Sequence, residues 1–276
     1  MLSNEEIKKI ENFVAEKPRS MSEIAELMDI SWRTADRYIE QIKTDLGTLQ
    51  TTVFREGTRG ALKIVFLAGV EKISHSVFQQ ELEKEIINGR RKEDFSAFDI
   101  YQYISDKNKN AVIERTAEEE DTNLKEFGNI HMLAKKQLLL FSGNLSFVNL
   151  KKINMMKILE DLIKRGVKIK ILCRADLAGK ENIAKVLSLN FKYGKEMIEI
   201  KHKDQPIRGI IVDNQLFRMK EIKEPTGKIK ELDKKVFIFY TIKDKEWTEW
   251  LSRIFWKMFS QSIDANKRLE ELNKLK

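Results

Sequence analysis

Residues 20–45, SMSEIAELMDISWRTADRYIEQIKTD, decide the reading of the N-terminal third of the chain. Ser20 and Glu23 stand three positions apart, the spacing that closes a capping box, and Ile24, Ala25 and Met28 follow at helical intervals. Asp29-Ile30-Ser31 interrupts the pattern as a turn, and Asp tolerates the left-handed conformation such a turn needs better than most residues. Ser31 then caps a second helix reaching to about Asp45, with Ala35, Tyr38, Ile39 and Ile42 inward and Trp32, Arg33, Asp36, Arg37 and Gln41 outward. Upstream, Ile7, Ile10, Phe13 and Val14 predict a helix over 5–17 that Pro18 closes. Downstream, Gly47 stops the second helix. The run TLQTTVFREGTRGALKIVFL, 48–67, then reads as a hairpin whose tip carries Arg55 and Arg59.

Two short helices joined by a tight turn place the first-turn side chains of the second helix where they can meet base edges in a major groove. Arg33 and Arg37, one turn apart on the outward face, are placed to reach guanine O6 and N7, with Ser31, Thr34 and Gln41 as phosphate or base contacts. Trp32 is a candidate for packing on a sugar or a methyl group, and Arg55 and Arg59 for the minor groove or phosphates. The alternative for Arg33 and Arg37 is pairing with Asp36 and Glu40 on a solvated face. The stretch MSEIAELMDISWRTADRYIEQI resembles the winged helix-turn-helix modules of bacterial and archaeal regulators. Ala25 stands at the small-residue position where the helices cross, and Ile39 and Ile42 at core positions. It departs from that pattern at Asp29, where Gly is usual, and at Ala35, where a β-branched residue is usual. The resemblance implies a double-stranded DNA partner and a role in transcription regulation.

From Ser74 to about Lys92 and from about Phe95 to Ser105 the pattern is helical, and 115–121 is a polar, acidic connecting stretch. Beyond it strands and helices alternate: QLLLFSGN, NMMKILEDLIKRG, VKIKILCRA, ENIAKVLSLNF, IEIKH, RGIIVDNQLFRMK, VFIFYTI and a long closing helix rich in Trp and Phe. The expected organisation is thus α+β followed by α/β: a DNA-binding domain over 1–70, a helical connector over 71–127 and an α/β domain over 128–276. Trp247, Trp250, Phe255, Trp256 and Phe259 of the closing helix are read as core and dimer packing.

The C-terminal half is similar to one half of a phospholipase D-type sandwich, as found fused to winged modules in TrmB-like archaeal regulators. The stretches LLLFSGNLSF, ILEDLIKRGVKIKILCRA and PIRGIIVDNQLFRMKE carry that similarity. Active members have a His-x-Lys-x-x-x-x-Asp motif. Aligned on Asp213, this chain has Pro206 in place of the His and Arg208 in place of the Lys. Proline supplies neither nucleophile nor proton, so the resemblance implies a domain without hydrolytic activity. Shifting the frame to His202 puts Gly209 where the Asp belongs. Arg208 and Asp213 remain as candidate anion or effector contacts, or as a structural ion pair. A single half-sandwich implies homodimerisation, which would set two reading helices on a palindromic site. The alternatives are a phosphodiesterase or nuclease targeted by its N-terminal module, and anion or nucleic-acid binding by the basic half.

Charge distribution restrains the nucleic-acid reading. The chain carries +8 overall, but residues 1–70, 71–127 and 128–276 carry −1, −5 and +14. Any DNA contact by the first segment must come from a few placed cations. No apolar run nears the roughly 20 residues of a membrane span, and acidic residues near the start argue against a signal peptide, so a cytoplasmic protein is expected. Cys173 lies in an apolar run and is read as a buried thiol. His75 and His131 have no second ligand or triad partner nearby in sequence, so neither a metal nor a cofactor is expected.

Overall fold

Ser3 closes a capping box with Glu6, and helix α1 (Asn4–Glu16) starts there. The computed structural model describes residues 2–55, 61–67, 75–115, 122–225 and 235–274. Strand β1 (Arg19–Ser20) follows α1, then α2 (Met21–Leu27), α3 (Trp32–Asp45), β2 (Leu49–Arg55) and β3 (Ala61–Leu67). Ser20 accepts the Glu23 N–H and the Glu23 carboxylate accepts the Ser20 N–H, which completes the capping box over α2. Asp29 takes φ +52° in the turn between α2 and α3, and Gly47 takes φ +67° after α3. The three strands form an antiparallel sheet in the order β1-β3-β2, with β2 and β3 registered from Leu49–Leu67 to Arg55–Ala61. Ile10, Ile24, Ala35, Ile39, Leu49 and Val65 are each fully buried in one apolar core that the helices share with the sheet. Each such Ile, Leu or Val withdrawn from water contributes about 1.5–3 kcal/mol.

The remaining elements are α4 (His75–Asn88), α5 (Phe98–Tyr101), β4 (Lys109–Arg115), α6 (Thr122–Met132), β5 (Gln137–Phe141), α7 (Met155–Lys164) and β6 (Lys168–Cys173). Then come α8 (Lys180–Tyr193), β7 (Ile198–His202), β8 (Gly209–Val212), β9 (Leu216–Lys223), β10 (Val236–Ile242), α9 (Lys245–Ser260), β11 (Ile263–Asp264) and α10 (Ala265–Lys274). The chain divides into two units: Met1–Gln80 with Ala111–Thr116 and Ile222–Ile238, and Glu81–Asn110 with Ala117–Glu221 and Phe239–Lys276. A mixed sheet has the strand order β11-β7-β6-β5-β8-β9-β10-β4, and its strands β11, β7, β6, β5 and β8 lie wholly in the second unit. Crossovers through α7 and α8 make β5, β6 and β7 parallel neighbours, while β8 returns antiparallel to β5.

Both faces of that sheet are covered at its centre, which explains why β5 reads as an unbroken apolar run. Leu138 and Leu140 face the core shared with α7 and α8, while Phe141 points the other way and meets Phe255 of α9 edge-on at 5.1 Å. Trp247, Trp250, Phe255 and Phe259 are buried within the chain, so these aromatics of α9 are core; Trp256 is 38% exposed.

Several sequence expectations change. RGIIVDNQLFRMK is two strands, not one: Gln215 N–H donates to the Val212 carbonyl at 2.9 Å across a turn whose central residues, Asp213 and Asn214, take φ +50° and +57°. Short polar side chains that bond locally make that conformation tolerable. The closing helix is broken after Ser260 by β11, which pairs with β7. The helical pattern over 95–105 yields only the single turn α5, and the region expected to be a helical connector contains strand β4. Arg115 ends β4, and 116–121 lie outside the described residues.

Gly209 lies at a close approach of β8 and β9, paired with Met219. A Cβ there would stand 2.8 Å from the Arg218 carbonyl oxygen and 3.0 Å from the Phe217 ring. Main chain cannot yield as a flexible side chain can, so Gly209→Ala should lower stability by about 1–3 kcal/mol. Chemical denaturation checks this; an unchanged midpoint would show that the pairing is looser than its register implies.

Candidate nucleic-acid interface

Helix α3 exists because Ser31 caps it and because Ala35, Ile39 and Ile42 bury one stripe against the first unit's core. The Ser31 hydroxyl accepts the Thr34 N–H at 3.1 Å and lies 2.9 Å from the Thr34 hydroxyl. Ser31 and Thr34 thus hold the helix start, at an exposed helix end where backbone N–H groups and the helix dipole favour anions. Arg33, Arg37 and Gln41 recur every fourth residue, so they form one stripe on the outer face. Both arginines are exposed and Gln41 is half-buried.

The acidic neighbours do not neutralise those arginines. Asp36 and Glu40 instead accept from the Lys63 ammonium, at 2.6 and 2.8 Å, and Lys63 comes from β3. Lys43 adds a 3.5 Å contact to Glu40 and another to the Thr51 hydroxyl of β2. Burial pulls the Lys63 pKa down, but its bonds to Asp36 and Glu40 outweigh burial and leave it above the usual lysine value. The Lys63 hydrogen bond likewise holds Glu40 below the ordinary carboxylate range. Among the described residues no carboxylate pairs with Arg33 or Arg37, and the guanidinium of Arg37 lies 5.7 Å from the Tyr38 ring centre.

Trp32 departs from expectation. It is half-buried and packs against the core of its unit, because the first turn of α3 lies over an apolar surface that the indole covers. It is therefore not the outward residue that helical phase alone suggested. Tyr38, expected inward, is half-buried and packs against the same core. At the hairpin, Arg55 ends β2 with its side chain outside the described residues, and Arg59 lies outside them altogether. Lys63 was missed from sequence because a single lysine in ALKIVFL reads as the solvent side of a strand; its signal was the pair of carboxylates four residues apart on α3.

In the second unit Arg208 and Asp213 do not form the ion pair considered above. They flank β8 at opposite ends, roughly 16 Å apart at the usual strand rise. The Asp213 carboxylate accepts three main-chain N–H bonds, from Lys135, Lys136 and Gln137, at 2.8–2.9 Å. Burial works to raise its pKa, but these bonds prevail and hold it below the ordinary value. Asn214 beside it accepts from Gln137 Nε2 and Ser252 Oγ, both at 2.8 Å, so this turn is a structural knot.

Arg208 donates to the carbonyls of Gln205 and Ile207, at 2.9 and 2.8 Å, and lies against Gly143, where a Cβ would come within 3.3 Å of Nε. Burial, then the nearby charge of Arg174, lowers its pKa from the usual arginine value. Pro206 is buried, and the space beside it is so filled that a Cβ on Gly89 would stand 2.8 Å from its ring. The His202 Nδ1 accepts the Ala175 N–H at 3.0 Å. Cys173 is buried, which pushes its thiol up to about 12. Among the described residues no group of His, Cys, Asp and Glu could hold a metal ion, and no helix is long and apolar enough to cross a membrane.

No family model and no curated protein matches the chain. Among solved structures it is similar to Nuc from Salmonella typhimurium, a phospholipase D family member, at 16% identity over 56% of this chain and 97% of that one, TM-score 0.40. It is similar also to TrmBL2, an archaeal chromatin protein described with a novel mode of DNA binding, at 15% identity over 95% of this chain and 94% of that one, TM-score 0.40. NucT from Helicobacter pylori matches at 11% identity over 56% and 99%, TM-score 0.38.

Proposed function

We propose that this chain is a sequence-specific transcription regulator that binds double-stranded DNA as a homodimer. Its first unit acts as a winged helix-turn-helix, with α3 in the major groove and the β2–β3 hairpin beside it. The single observation that carries the reading is the state of the α3 surface: two exposed arginines one turn apart, with the adjacent carboxylates held by Lys63 and, at Glu40, also by Lys43. A guanidinium without an internal carboxylate is available for guanine O6/N7 or for phosphate. The near-neutral charge of residues 1–70 means that binding by this unit rests on placed contacts and not on a broad field. Doubling the reading head in a dimer is the way such a small contact set gains affinity and specificity.

The second unit, on this reading, dimerises, senses a small-molecule or anionic effector, or does both, and is not an enzyme. Pro206 offers no nucleophile, and His202 spends its Nδ1 lone pair on a main-chain N–H. One observation favours a phosphodiesterase as the second reading: Arg208 is half-buried near Arg174 and, among the described residues, bonded only to carbonyls. Assay of a generic phosphodiester with the full chain separates the two. We expect no turnover; turnover that disappears in Arg208→Ala would establish the enzyme reading in place of ours. DNA binding by the full chain, followed against salt concentration, tests the main reading. A slope corresponding to a handful of phosphate contacts is expected. Binding that is absent at low salt would reject it.

A further inference from the structure

Lys63 faces two carboxylates of α3 from β3, and its side chain is only 12% exposed. Asp36 and Glu40 lie one turn apart, so they form a negative stripe directly beside the stripe of Arg33 and Arg37. Left alone, that stripe would meet the DNA backbone with like charge and would attract the arginines to itself. Lys63 acts against both effects at once: its ammonium bonds Asp36 at 2.6 Å and Glu40 at 2.8 Å. Lys43 contributes the second positive charge, reaching Glu40 and the Thr51 hydroxyl, so two cations balance two anions and the charge of Arg33 and Arg37 is left over. The same bonds link α3 to β3 and, through Lys43, to β2.

We infer that Lys63 is a positioning residue for DNA recognition: without touching DNA, it engages Asp36 and Glu40 and, with Lys43, offsets their charge, so that Arg33 and Arg37 face the nucleic acid unopposed. The inference rests on the DNA-binding reading above. It makes Lys63 a determinant of affinity although the residue lies beneath the recognition surface, and the groups facing its ammonium are Asp36 and Glu40 of α3. A partly buried cation that is removed leaves two carboxylates facing phosphate, and like-charge juxtaposition of this kind weakens association strongly.

The test uses the full chain and random-sequence duplex DNA at one fixed salt concentration, with thermal unfolding of every variant measured in parallel. Lys63→Met should weaken binding on the order of tenfold or more. Adding Asp36→Asn and Glu40→Gln to Lys63→Met should restore binding to near the starting value, because the stripe it exposed is then neutral. Asp36→Asn with Glu40→Gln on the Lys63 background should bind more tightly than the starting protein and keeps the test decisive if Lys63→Met alone fails to fold. A merely structural lysine predicts the opposite pattern: binding would track the melting temperature, and the neutral triple variant would not recover. Unchanged binding in a folded Lys63→Met overturns the inference while the DNA reading stands; a starting protein that binds no duplex removes both.

Discussion

Replacing Arg33 and Arg37 together by alanine should lower affinity for a specific duplex by on the order of a hundredfold and flatten discrimination between sequences. The basis is local. Each arginine is exposed on the same face of α3, and the carboxylates that would otherwise hold them are bonded to Lys63. A guanidinium bonded to a guanine edge contributes about 1–3 kcal/mol of discrimination, so two of them account for a change of that size. Neither side chain is buried, so the double variant should melt close to the starting protein. Loss of binding without loss of fold is the signature. Arg37→Ala or Arg33→Ala alone should each remove part of the effect, and a variant that loses affinity equally for every sequence would place that arginine on phosphate instead of base.

The second large effect concerns acid. His131 of α6 is completely buried, its Nδ1 lies 2.7 Å from the Phe127 carbonyl, and among the described residues its Nε2 has no partner. Phe127 and Phe147 pack around it, at 4.5 and 6.3 Å between ring centres. Burial drives its pKa from 6.5 down to about 4, against the opposing pull of the Phe127 carbonyl. The folded imidazole therefore stays neutral while the unfolded one takes up a proton below pH 6.5. Stability from this residue is present above the unfolded value and lost as the pH falls from 6.5 towards 4, by about 3 kcal/mol in all. The half-buried His202 is also shifted down by burial and adds loss of the same sign. Asp213, held low by its amide bonds, loses its contribution only below the ordinary carboxylate value, in a more acid window. Denaturation midpoints of the starting protein and His131→Met across this range isolate the term: the variant should lack most of the slope between pH 6.5 and 4. Parallel curves would show that the imidazole is not sealed from water.

What the sequence made legible was local. The cap at Ser20, the left-handed turn at Asp29, the cap at Ser31 and the stop at Gly47 are each dictated within a few residues, and the first unit's helices and hairpin follow from them. Alternating elements of the second unit were legible for the same reason, with boundaries close to those observed for β5, α7, β6 and α8. Strand β4 was not, since KNAVIER is a mostly polar edge strand in which Ile113 is buried, and carries little periodicity of its own. The split of β8 from β9 was hidden because DNQ sits between two apolar runs in one alternating frame, and only tertiary bonds to Asp213 and Asn214 show why the chain reverses there.

For the α3 face, sequence named the arginines and left open whether Asp36 and Glu40 hold them. That choice depends on Lys63, which is 23 residues beyond Glu40 in the chain. No helical or strand period links the two. Trp32 shows the reverse limit: helical phase alone turned it outward, whereas the core it meets includes residues from other elements of the unit. Arg208 and Asp213 fell together in a sequence motif yet flank β8 at opposite ends, the first bonded to its own loop's carbonyls and the second to the start of β5.

Recovery and sequencing of the DNA fragments that the full chain retains from a random duplex pool addresses the central claim most directly. A regulator that reads through α3 as a dimer predicts one enriched motif made of two inverted half-sites, with guanines in each half and with their centres about one helical turn, or a multiple of it, apart. Recovery of fragments with no shared motif, or of a motif that persists unchanged after Arg33 and Arg37 are both replaced by alanine, would contradict it.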